Sequence, residues 1–345
     1  MTKPVILTGL RANNDLTIGN YLGAMLPTIE MAKKYAGEYQ INMFIPDLHS
    51  FTTPIDHEQL LSQITNNAKF YAAAGLPLDN DNIIVYRQSY VPAHSELTWI
   101  LDCFTGVGEM GRMIEYKEKS AKIGDERVSI GLLNYPVLQA ADILLYGATY
   151  VPVGDDQRQH LEYARHIGER INSRFDDILT VPYSTEKQFE FFGKGQGLRI
   201  KDLQIPEKKM SKSADSDKGV IFLTDTPEAA AKKVMSAATD DKASVNYDPA
   251  EQPGISNLLQ ILSLLRGQAL DDTELEFKGQ SSYGDFKRTV ADEVESFLTE
   301  FQTKLAAVDD SAITAAFVRS EAVANQQANE TLLRVQQAVG LRPRS

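Results

Sequence analysis

The chain opens with the β-prone run Val5-Ile6-Leu7-Thr8-Gly9 and the polar stretch Leu10-Arg11-Ala12-Asn13-Asn14-Asp15-Leu16-Thr17-Ile18-Gly19-Asn20. Apolar residues then recur at helical spacing from Leu22 to Ala32, which predicts a helix directly after Asn20. A helix N-terminus presents free backbone N–H groups and a positive dipole end, so this turn suits a phosphate group, and Gly19 lets a ligand approach the backbone closely. A capped helix start without a ligand is the alternative meaning.

The alternation of strand and helix continues beyond this first unit. The predicted elements are strands at 40–45, 82–87 and 150–153, helices at 57–75, 131–146 and 158–172, and a short strand around Leu198-Arg199-Ile200. This order is typical of an α/β protein with a Rossmann-like, doubly wound parallel sheet. In such sheets, ligands bind beyond the carboxyl ends of the strands.

A lysine-rich stretch, Lys208-Lys209-Met210-Ser211-Lys212-Ser213, follows this part of the chain and fits neither a helix nor a strand period. Crowded lysines repel one another unless an anion lies between them. Ammonium and hydroxyl groups in this number can neutralise a leaving pyrophosphate, whereas a solvated basic linker is the alternative interpretation. We refer to residues 207–216 as the lysine loop and expect it to be mobile.

Only helical patterns follow the lysine loop, including a long apolar stripe from Phe286 to Leu305. We therefore predict a Rossmann-like catalytic domain followed by an all-helical C-terminal domain. The predicted parts are a catalytic domain at 1–206 with a helical insertion at 93–122, the lysine loop at 207–216, a helical domain at 217–309, and a C-terminal helix at 310–345 that packs back toward the catalytic domain.

Charge and composition limit the class of protein. The 345 residues include 35 Lys and Arg and 47 Asp and Glu, a net charge of −12, which argues against a protein that coats DNA or RNA nonspecifically. A specific RNA partner would need a local basic patch. No apolar run is long enough to span a membrane, and the N-terminus is not a signal peptide. Cys103 is the only cysteine, which excludes an internal disulfide, and we expect a cytoplasmic protein with no membrane partner and no protein-bound metal.

One predicted helix carries three polar residues at offsets of 0, 4 and 7, namely Tyr135, Gln139 and Asp142, which places them on one face. A buried carboxylate is costly unless a donor accompanies it. Asp142 therefore either binds a donor on a ligand or ties its helix to a neighbouring segment. His94 and His160 lie near other motifs in the sequence, and a structural role is favoured for each of them.

These stretches together resemble a known family. Lys209-Met210-Ser211-Lys212-Ser213 matches the signature loop of class I aminoacyl-tRNA synthetases, and Thr17-Ile18-Gly19-Asn20 is similar to their other ATP-binding element. Further stretches resemble bacterial tryptophanyl-tRNA synthetases in order and spacing. They are Tyr21-Leu22-Gly23-Ala24, Lys117-Glu118-Lys119-Ser120, Tyr135-Pro136-Val137-Leu138-Gln139-Ala140-Ala141-Asp142, Val151-Pro152-Val153-Gly154-Asp155-Asp156-Gln157 and Pro253-Gly254-Ile255-Ser256-Asn257-Leu258.

The resemblance implies a ligase that activates L-tryptophan with ATP to tryptophanyl-adenylate and then charges the terminal ribose of tRNA(Trp). It implies that Lys209, Lys212 and Ser211 act on the pyrophosphate, with Mg²⁺ held by the ATP phosphates rather than by the protein. Asp156 is expected to accept from the ribose hydroxyls, and Ile200 to lie on the adenine. The residues assigned to ATP are Arg11, Ala12, Asn13, Gly19, Asn20, Lys119, Gly154, Asp155, Asp156, Ile200, Lys209, Met210, Ser211, Lys212 and Ser213. The loop from Arg11 to Asn14 departs from the usual Pro and Gly of the family.

The resemblance also implies a tryptophan site in which Asp142 accepts from the indole N–H. Tyr135 and Gln157 are expected to hold the α-amino group, and His49 and Gln139 to line the pocket. Gln139 departs from the Met of the best-known bacterial members and resembles tyrosyl-tRNA synthetases. A tyrosine-specific enzyme and an inactive paralogue that only binds tRNA are therefore the alternatives.

The family implies a homodimer in which a tRNA contacts both subunits. We expect the insertion at 93–122 to form the subunit contact, with Trp99, Phe104 and Met110 either as its apolar anchors or as ordinary core residues.

Overall fold

A parallel sheet of four strands lies at the centre of the computed structural model, which describes residues 3–10, 15–52, 54–123, 128–154, 157–193, 199–210 and 217–344. The strands are β1 (Val5–Gly9), β2 (Gln40–Ile45), β3 (Ile83–Arg87) and β4 (Ala148–Tyr150). Their order is β3-β2-β1-β4, and every pair is parallel. The two central strands are apolar and buried along most of their length, as expected of a sheet covered on both faces.

Helices connect and cover the strands, and they alone make up the regular structure described after residue 226. The helices are α1 (Ile18–Asn20), α2 (Leu26–Tyr35), α3 (Leu60–Ala73), α4 (Ala93–Asp102), α5 (Val107–Met110), α6 (Ile114–Ile123), α7 (Ile130–Leu144), α8 (Arg158–Phe175), α9 (Thr185–Phe192), α10 (Pro227–Met235), α11 (Pro253–Arg266), α12 (Leu270–Glu276), α13 (Tyr283–Ala306) and α14 (Asp310–Ala338). The predicted fold class, a parallel α/β sheet with a helical C-terminal part, is confirmed.

The first helix is less regular than the sequence predicts. A π-helical segment, Tyr21–Met25, separates α1 from α2, and the N–H of Leu26 donates to the carbonyl of Tyr21. Pro27 follows in the first turn of α2 and has no N–H to donate. Such wide turns often lie at functional sites, and this one follows directly on Asn20.

Two predicted element boundaries differ from the structure because side chains take over backbone hydrogen bonds. The fourth strand was expected at 150–153, but it ends at Tyr150, since the N–H of Val151 donates to Gln188 Oε1 at 2.9 Å. The third helix begins at Leu60 rather than residue 57, because Asp56 Oδ1 accepts from the N–H of Glu58 at 3.0 Å and of Gln59 at 3.4 Å in a preceding turn.

The last helix, α14, covers the outer edge of the sheet along β3. Ser320 Oγ accepts from the Val85 N–H at 3.1 Å, in the position that a further strand would occupy. Arg87 donates to Glu321 through Nε at 2.6 Å and Nη2 at 2.9 Å, and both residues are largely buried. The exposed strand edge is thereby closed by side chains of a helix, which removes a site for pairing with another chain.

The insertion at 93–122 comprises α4, α5 and α6, and its three predicted apolar anchors have different environments. Trp99 is 71% exposed, whereas Phe104 is half-buried against Phe175 with ring centroids 5.6 Å apart. Met110 is 3% exposed and belongs to the core that includes Leu97 and Met113. The expectation that Met110 anchors a subunit contact is therefore wrong, because its side chain is already buried within the chain.

Gly254 lies where α11 approaches the backbone of residue 238 most closely. A Cβ added to Gly254 would stand 2.1 Å from the Ala238 carbonyl oxygen, a backbone atom that cannot move by a rotamer change. We expect Gly254→Ala to lower the free energy of unfolding by roughly 1–3 kcal/mol, the usual cost of forcing extra volume into a packed site.

The measurement for Gly254→Ala is the thermal unfolding temperature. Gly37→Ala is the matched control, since a Cβ there meets nothing within 4 Å. Equal unfolding temperatures for the two variants would contradict the expected clash.

Candidate active site

The turn at Gly19 is built by reciprocal capping. Thr17 Oγ1 accepts from the Asn20 N–H at 3.1 Å, and Asn20 Oδ1 accepts from the Thr17 N–H at 3.1 Å. Both residues of the predicted ATP element thus use their side chains to shape the start of the helix. The predicted contact of Asn20 with ATP stays a prediction, and its amide oxygen already has a partner in the turn.

Gly19 packs directly against both arms of a hairpin, at Ile200 and at Met210, and the second arm includes the first residues of the lysine loop. A Cβ added to Gly19 would lie 3.4 Å from Ile200 Cβ and 3.5 Å from Met210 Cβ. Ile200 is 1% and Met210 2% exposed, so both side chains are part of the core beside Gly19. The predicted contacts of these residues with ATP stay predictions. The structure brings together the two predicted ATP elements, which are far apart in sequence.

A short hairpin forms the base of the lysine loop. The Met210 N–H donates to the Ile200 carbonyl at 3.0 Å, and the Asp202 N–H donates to the Lys208 carbonyl at 3.0 Å. Lys209 lies opposite Lys201 in this hairpin and is exposed. The first residues of the lysine loop, as far as Met210, are therefore paired with residues 200–202.

The chain after the lysine loop returns to the segment that precedes Gly19. The Ile18 N–H donates to the Ile221 carbonyl at 2.9 Å, and the Leu223 N–H donates to the Leu16 carbonyl at 2.9 Å. This antiparallel pairing and the hairpin hold both ends of the lysine loop beside the Gly19 turn.

Several of the predicted site residues lie outside the described residues. They are Arg11, Ala12, Asn13, Asp155, Asp156, Ser211, Lys212 and Ser213. Gly154 is described, and its carbonyl accepts from the Gln157 N–H at 3.0 Å. Lys119 places Nζ 4.7 Å from the centre of the Tyr135 ring and 3.2 Å from Glu115 Oε2. Lys119 thus lies beside the predicted amino-acid site, and its predicted contact with phosphate stays a prediction.

Asp142 is the centre of a buried polar cluster, the Asp142 cluster, which consists of Asp142, His49, His94 and Gln88. Its Oδ1 accepts from Gln88 Nε2 at 2.7 Å and faces His94 Nδ1 at 2.5 Å, and its Oδ2 faces His49 Nε2 at 2.9 Å. Asp142, His94 and Gln88 are fully buried. His49 follows the end of β2 and Gln88 follows the end of β3, so the cluster forms at the carboxyl edge of the sheet.

The cluster keeps Asp142 ionised. Burial alone raises the pKa of the Asp142 carboxyl, but the hydrogen bonds and charges of His49 and His94 lower it further than burial raises it, to about 2. An ionised carboxylate only accepts hydrogen bonds, so both histidines present an N–H to it. His94 Nε2 in turn lies 2.9 Å from the Tyr146 hydroxyl.

The described contacts leave one acceptor position of the Asp142 carboxylate unused. A carboxylate offers about four acceptor positions, and the described contacts fill two at Oδ1 and one at Oδ2. His49, which holds Oδ2, is the member of the cluster that solvent reaches, with 18% of its side chain exposed. The solvent-exposed side of the Asp142 cluster therefore lies at His49 and Oδ2.

A second chain of contacts connects the residues predicted to hold the α-amino group. The Tyr135 hydroxyl lies 3.2 Å from His160 Nε2, and His160 Nδ1 lies 2.9 Å from Gln157 Oε1. The rings of His49 and Tyr135 meet edge to face at 6.1 Å, which joins this chain to the Asp142 cluster. Gln139 is half-buried on the same helix as Tyr135 and Asp142. The structure therefore brings together His49, Tyr135, Asp142 and Gln157.

Sequence reasoning missed three contributors to this site. His94 and His160 were assigned structural roles, but they contact Asp142 and Tyr135 directly. Gln88 was not singled out, although its place directly after a predicted strand was an available signal. Within the described ranges, His, Cys, Asp and Glu side chains form no group of three or more that could hold a metal ion. The helices described also include none long and apolar enough to cross a membrane.

Comparison with known proteins agrees with this geometry. The sequence pattern of the class I tRNA synthetases (W and Y) matches residues 2–299. A tryptophan–tRNA ligase of Leifsonia xyli is 41% identical over 341 residues, which cover 98% of this chain and 97% of that protein.

Solved structures show the same similarity in three dimensions. A tryptophanyl-tRNA synthetase from Mycoplasma pneumoniae superimposes with a TM-score of 0.83 at 30% identity over 99% of both chains. The Campylobacter jejuni tryptophanyl-tRNA synthetase, solved with ADP and tryptophan, superimposes with a TM-score of 0.78 at 28% identity over 97% of this chain and 99% of that one. The chain therefore belongs to the class I tRNA synthetases (W and Y), in the family of bacterial tryptophan–tRNA ligases.

Proposed function

We propose that this protein activates L-tryptophan with ATP and transfers it to the terminal ribose of tRNA(Trp). The observation that supports this most directly is the arrangement at the carboxyl edge of the sheet. The Gly19 turn and the base of the lysine loop lie against each other there, and the ionised Asp142 is buried beside His49. The Gly19 turn and the lysine loop thus offer groups for a polyphosphate, and Asp142 offers an acceptor for a ring N–H.

Activation needs alignment and charge neutralisation more than proton transfer. A carboxylate oxygen of tryptophan attacks the α-phosphorus of ATP, forming the mixed anhydride while the bond to the β-phosphate oxygen breaks. The attacking group is already ionised, so no base on the protein is required. Lys209, Lys212 and Ser211 stabilise the charge that develops on the leaving pyrophosphate, and Mg²⁺ is expected to accompany the ATP phosphates. A hydroxyl of the tRNA ribose then attacks the carbonyl carbon, and AMP leaves.

Tryptophan recognition rests on the free acceptor position of Asp142. The indole N–H donates to Oδ2 beside His49, while Oδ1 is held by Gln88 and His94. Because the pKa of Asp142 is near 2, the carboxylate is ionised at neutral pH and accepts a charge-assisted hydrogen bond. Tyr135 and Gln157, connected through His160, hold the α-amino group.

The decisive experiment is amino-acid-dependent exchange of pyrophosphate into ATP, measured separately with tryptophan and tyrosine. Exchange with tryptophan, followed by charging of tRNA(Trp), is the expected result. Exchange with tyrosine alone would support the alternative of a tyrosine-specific enzyme, which Gln139 suggests. Exchange with neither, together with retained tRNA binding, would support an inactive paralogue.

The division into domains is also part of the proposal. We infer a catalytic domain at 1–206, the lysine loop at 207–216 as a hinge that closes on ATP, and a helical domain at 217–309 that binds the anticodon. The C-terminal helix at 310–345 belongs with the catalytic domain, because Glu321 and Ser320 bind β3. The cytoplasm, where tRNA is charged, is the proposed location.

A homodimer is the proposed assembly, with its contact on the insertion. Trp99, Phe51, Leu138 and Tyr135 line part of an open cavity of about 280 Å³ between α4, α7 and the segment after β2. Trp99 is 71% and Phe51 56% exposed, and Ile130 at the start of α7 is 81% exposed. Trp99 and Phe51 line the same cavity, and exposed apolar side chains that cluster in this way are typical of a surface covered in an assembly. This surface includes Tyr135 of the amino-acid site.

We expect Trp99→Glu to convert the dimer to a monomer, because it places a charge in the apolar centre of the proposed contact. Light scattering coupled to size exclusion is the measurement, and the monomer should show the mass of a single chain, 38.3 kDa. Leu275→Glu is the control, since Leu275 is 63% exposed on α12, away from this surface. An unchanged mass for Trp99→Glu would exclude this contact.

A further inference from the structure

The hairpin at the base of the lysine loop has one free edge, formed by the backbone of Lys201. Within the hairpin, the carbonyl of Ile200 and the N–H of Asp202 point to the strand at 208–210. In an antiparallel pair, the intervening residue presents its N–H and carbonyl to the opposite side. Lys201 is that residue, so both of its backbone groups face away from its partner strand.

Asn257 on α11 satisfies both of these groups with one side chain. The Lys201 N–H donates to Asn257 Oδ1 at 2.8 Å, and Asn257 Nδ2 donates to the Lys201 carbonyl at 3.0 Å. A side-chain amide has the same donor and acceptor as a backbone amide, so Asn257 takes the place of a third strand. Asn257 is 3% exposed, which makes the loss of either bond costly.

This contact joins the helical part of the chain to the hairpin beside the Gly19 turn. Lys201 is adjacent to Ile200, which packs on Gly19 and accepts from the N–H of Met210, the last residue described at the start of the lysine loop. Asn257 belongs to a helix that packs against α12 and α13. The backbone of the hairpin at the base of the lysine loop is thus bonded to the C-terminal helices through the Asn257 side chain.

We propose that Asn257 is a positioning residue that makes the hairpin at 200–210 move with α11 as one unit and so sets the position of Lys209 against ATP. The inference rests on the proposed function, because it assigns Asn257 a part in tryptophan activation. Asn257 itself touches no substrate. It acts through Lys201 and the strand that carries the lysine loop.

The test compares Asn257→Ala with Ser256→Ala. Ser256 is the preceding residue of α11, is also 3% exposed, and also accepts a backbone hydrogen bond, from the Asp248 N–H at 2.8 Å. Its partner belongs to the loop that leads into α11, so its loss weakens the helical part without reaching the hairpin. The two variants therefore separate loss of stability from loss of loop position.

We expect Asn257→Ala to lower kcat for tryptophan-dependent pyrophosphate exchange by roughly 10-fold, in line with the cost of small misplacements of reacting groups. The KM for tryptophan should stay near the wild-type value, because the Asp142 cluster is not touched. Ser256→Ala should lose a similar amount of thermal stability and keep its kcat. If Asn257→Ala does not fold, Asn257→Asp replaces it. This variant is isosteric and keeps the acceptor for the Lys201 N–H but loses the donor to the Lys201 carbonyl. Its kcat is also expected to lie below that of Ser256→Ala.

Hydrogen exchange at the hairpin gives a second readout that does not depend on activity. The Lys201 amide should exchange faster in Asn257→Ala than in wild type and stay protected in Ser256→Ala, since its acceptor is Asn257. A kcat of Asn257→Ala equal to that of Ser256→Ala, or an unchanged Lys201 amide, would overturn the inference. A wild-type protein without exchange activity toward any amino acid would instead overturn the proposed function, and the Lys201 amide would still test the contact.

Discussion

Asp142→Asn is expected to lower kcat/KM for tryptophan in pyrophosphate exchange by roughly 100-fold, which corresponds to about 2.7 kcal/mol. The wild-type carboxylate presents only acceptors to His49, His94 and Gln88. An asparagine offers one oxygen and one NH₂ group. If the oxygen stays with Gln88 and His94, the NH₂ group faces His49 and the incoming indole N–H, which places two donors against each other. A hydrogen bond to a charged acceptor is worth about 1.5–3 kcal/mol, which accounts for the size of the effect.

The loss should appear mainly in the KM for tryptophan, with KM for ATP little changed. Asp102→Asn is the matched control. Asp102 lies on α4 and accepts from Asn134 at 2.9 Å, and burial raises its pKa, but it is no part of the Asp142 cluster. We expect Asp102→Asn to keep its kcat/KM. A reduced unfolding temperature for Asp142→Asn without any change in KM for tryptophan would show that Asp142 only ties α7 to its neighbours.

Lys212→Ala is expected to lower the rate of tryptophan activation by roughly 100-fold or more, because a preorganised charge opposite the leaving pyrophosphate is removed. The pairing at 200–202 with 208–210 and at 16–18 with 221–223 holds both ends of the lysine loop beside Gly19. The fall should appear in kcat, since the proposed tryptophan site is the Asp142 cluster and not the lysine loop.

Lys208→Ala is the control for Lys212→Ala. Lys208 is exposed in the hairpin, and its part in the structure is a backbone carbonyl that accepts from the Asp202 N–H. Its side chain can therefore be removed while the hairpin stays paired. Equal losses in kcat and in tryptophan affinity for Lys212→Ala would contradict the assigned role in neutralising pyrophosphate.

Much of the fold was predictable because it depends on residues that are close together in the sequence. The β-prone run at Val5 and the capping pair Thr17 and Asn20 lie within a few residues of each other, so their strand, turn and helix follow from short-range chemistry. Boundaries that depend on distant side chains were not predictable. The end of β4 depends on Gln188, which is separated from Val151 by 37 residues.

The candidate site also has features that the sequence predicted and contacts between remote residues that it could not predict. The chain itself showed that Tyr135 and Asp142 share a helix face and that the Lys209 motif belongs with Gly19 in one family. It could not show that Gln88 and His94 hold Asp142 from 54 and 48 residues away. A buried carboxylate requires donors, but many side chains can supply them.

The amino-acid sequence by itself therefore determined the parallel α/β class and the family and predicted residues for ATP and tryptophan, because these follow from periodicity, capping and contiguous motifs. Only the tertiary structure decided which donors keep Asp142 ionised and that Asn257 closes the edge of the hairpin below the lysine loop. Hydrogen bonds of this kind depend on distance and direction between segments remote in sequence, and those are set when the sheet and the helices pack together.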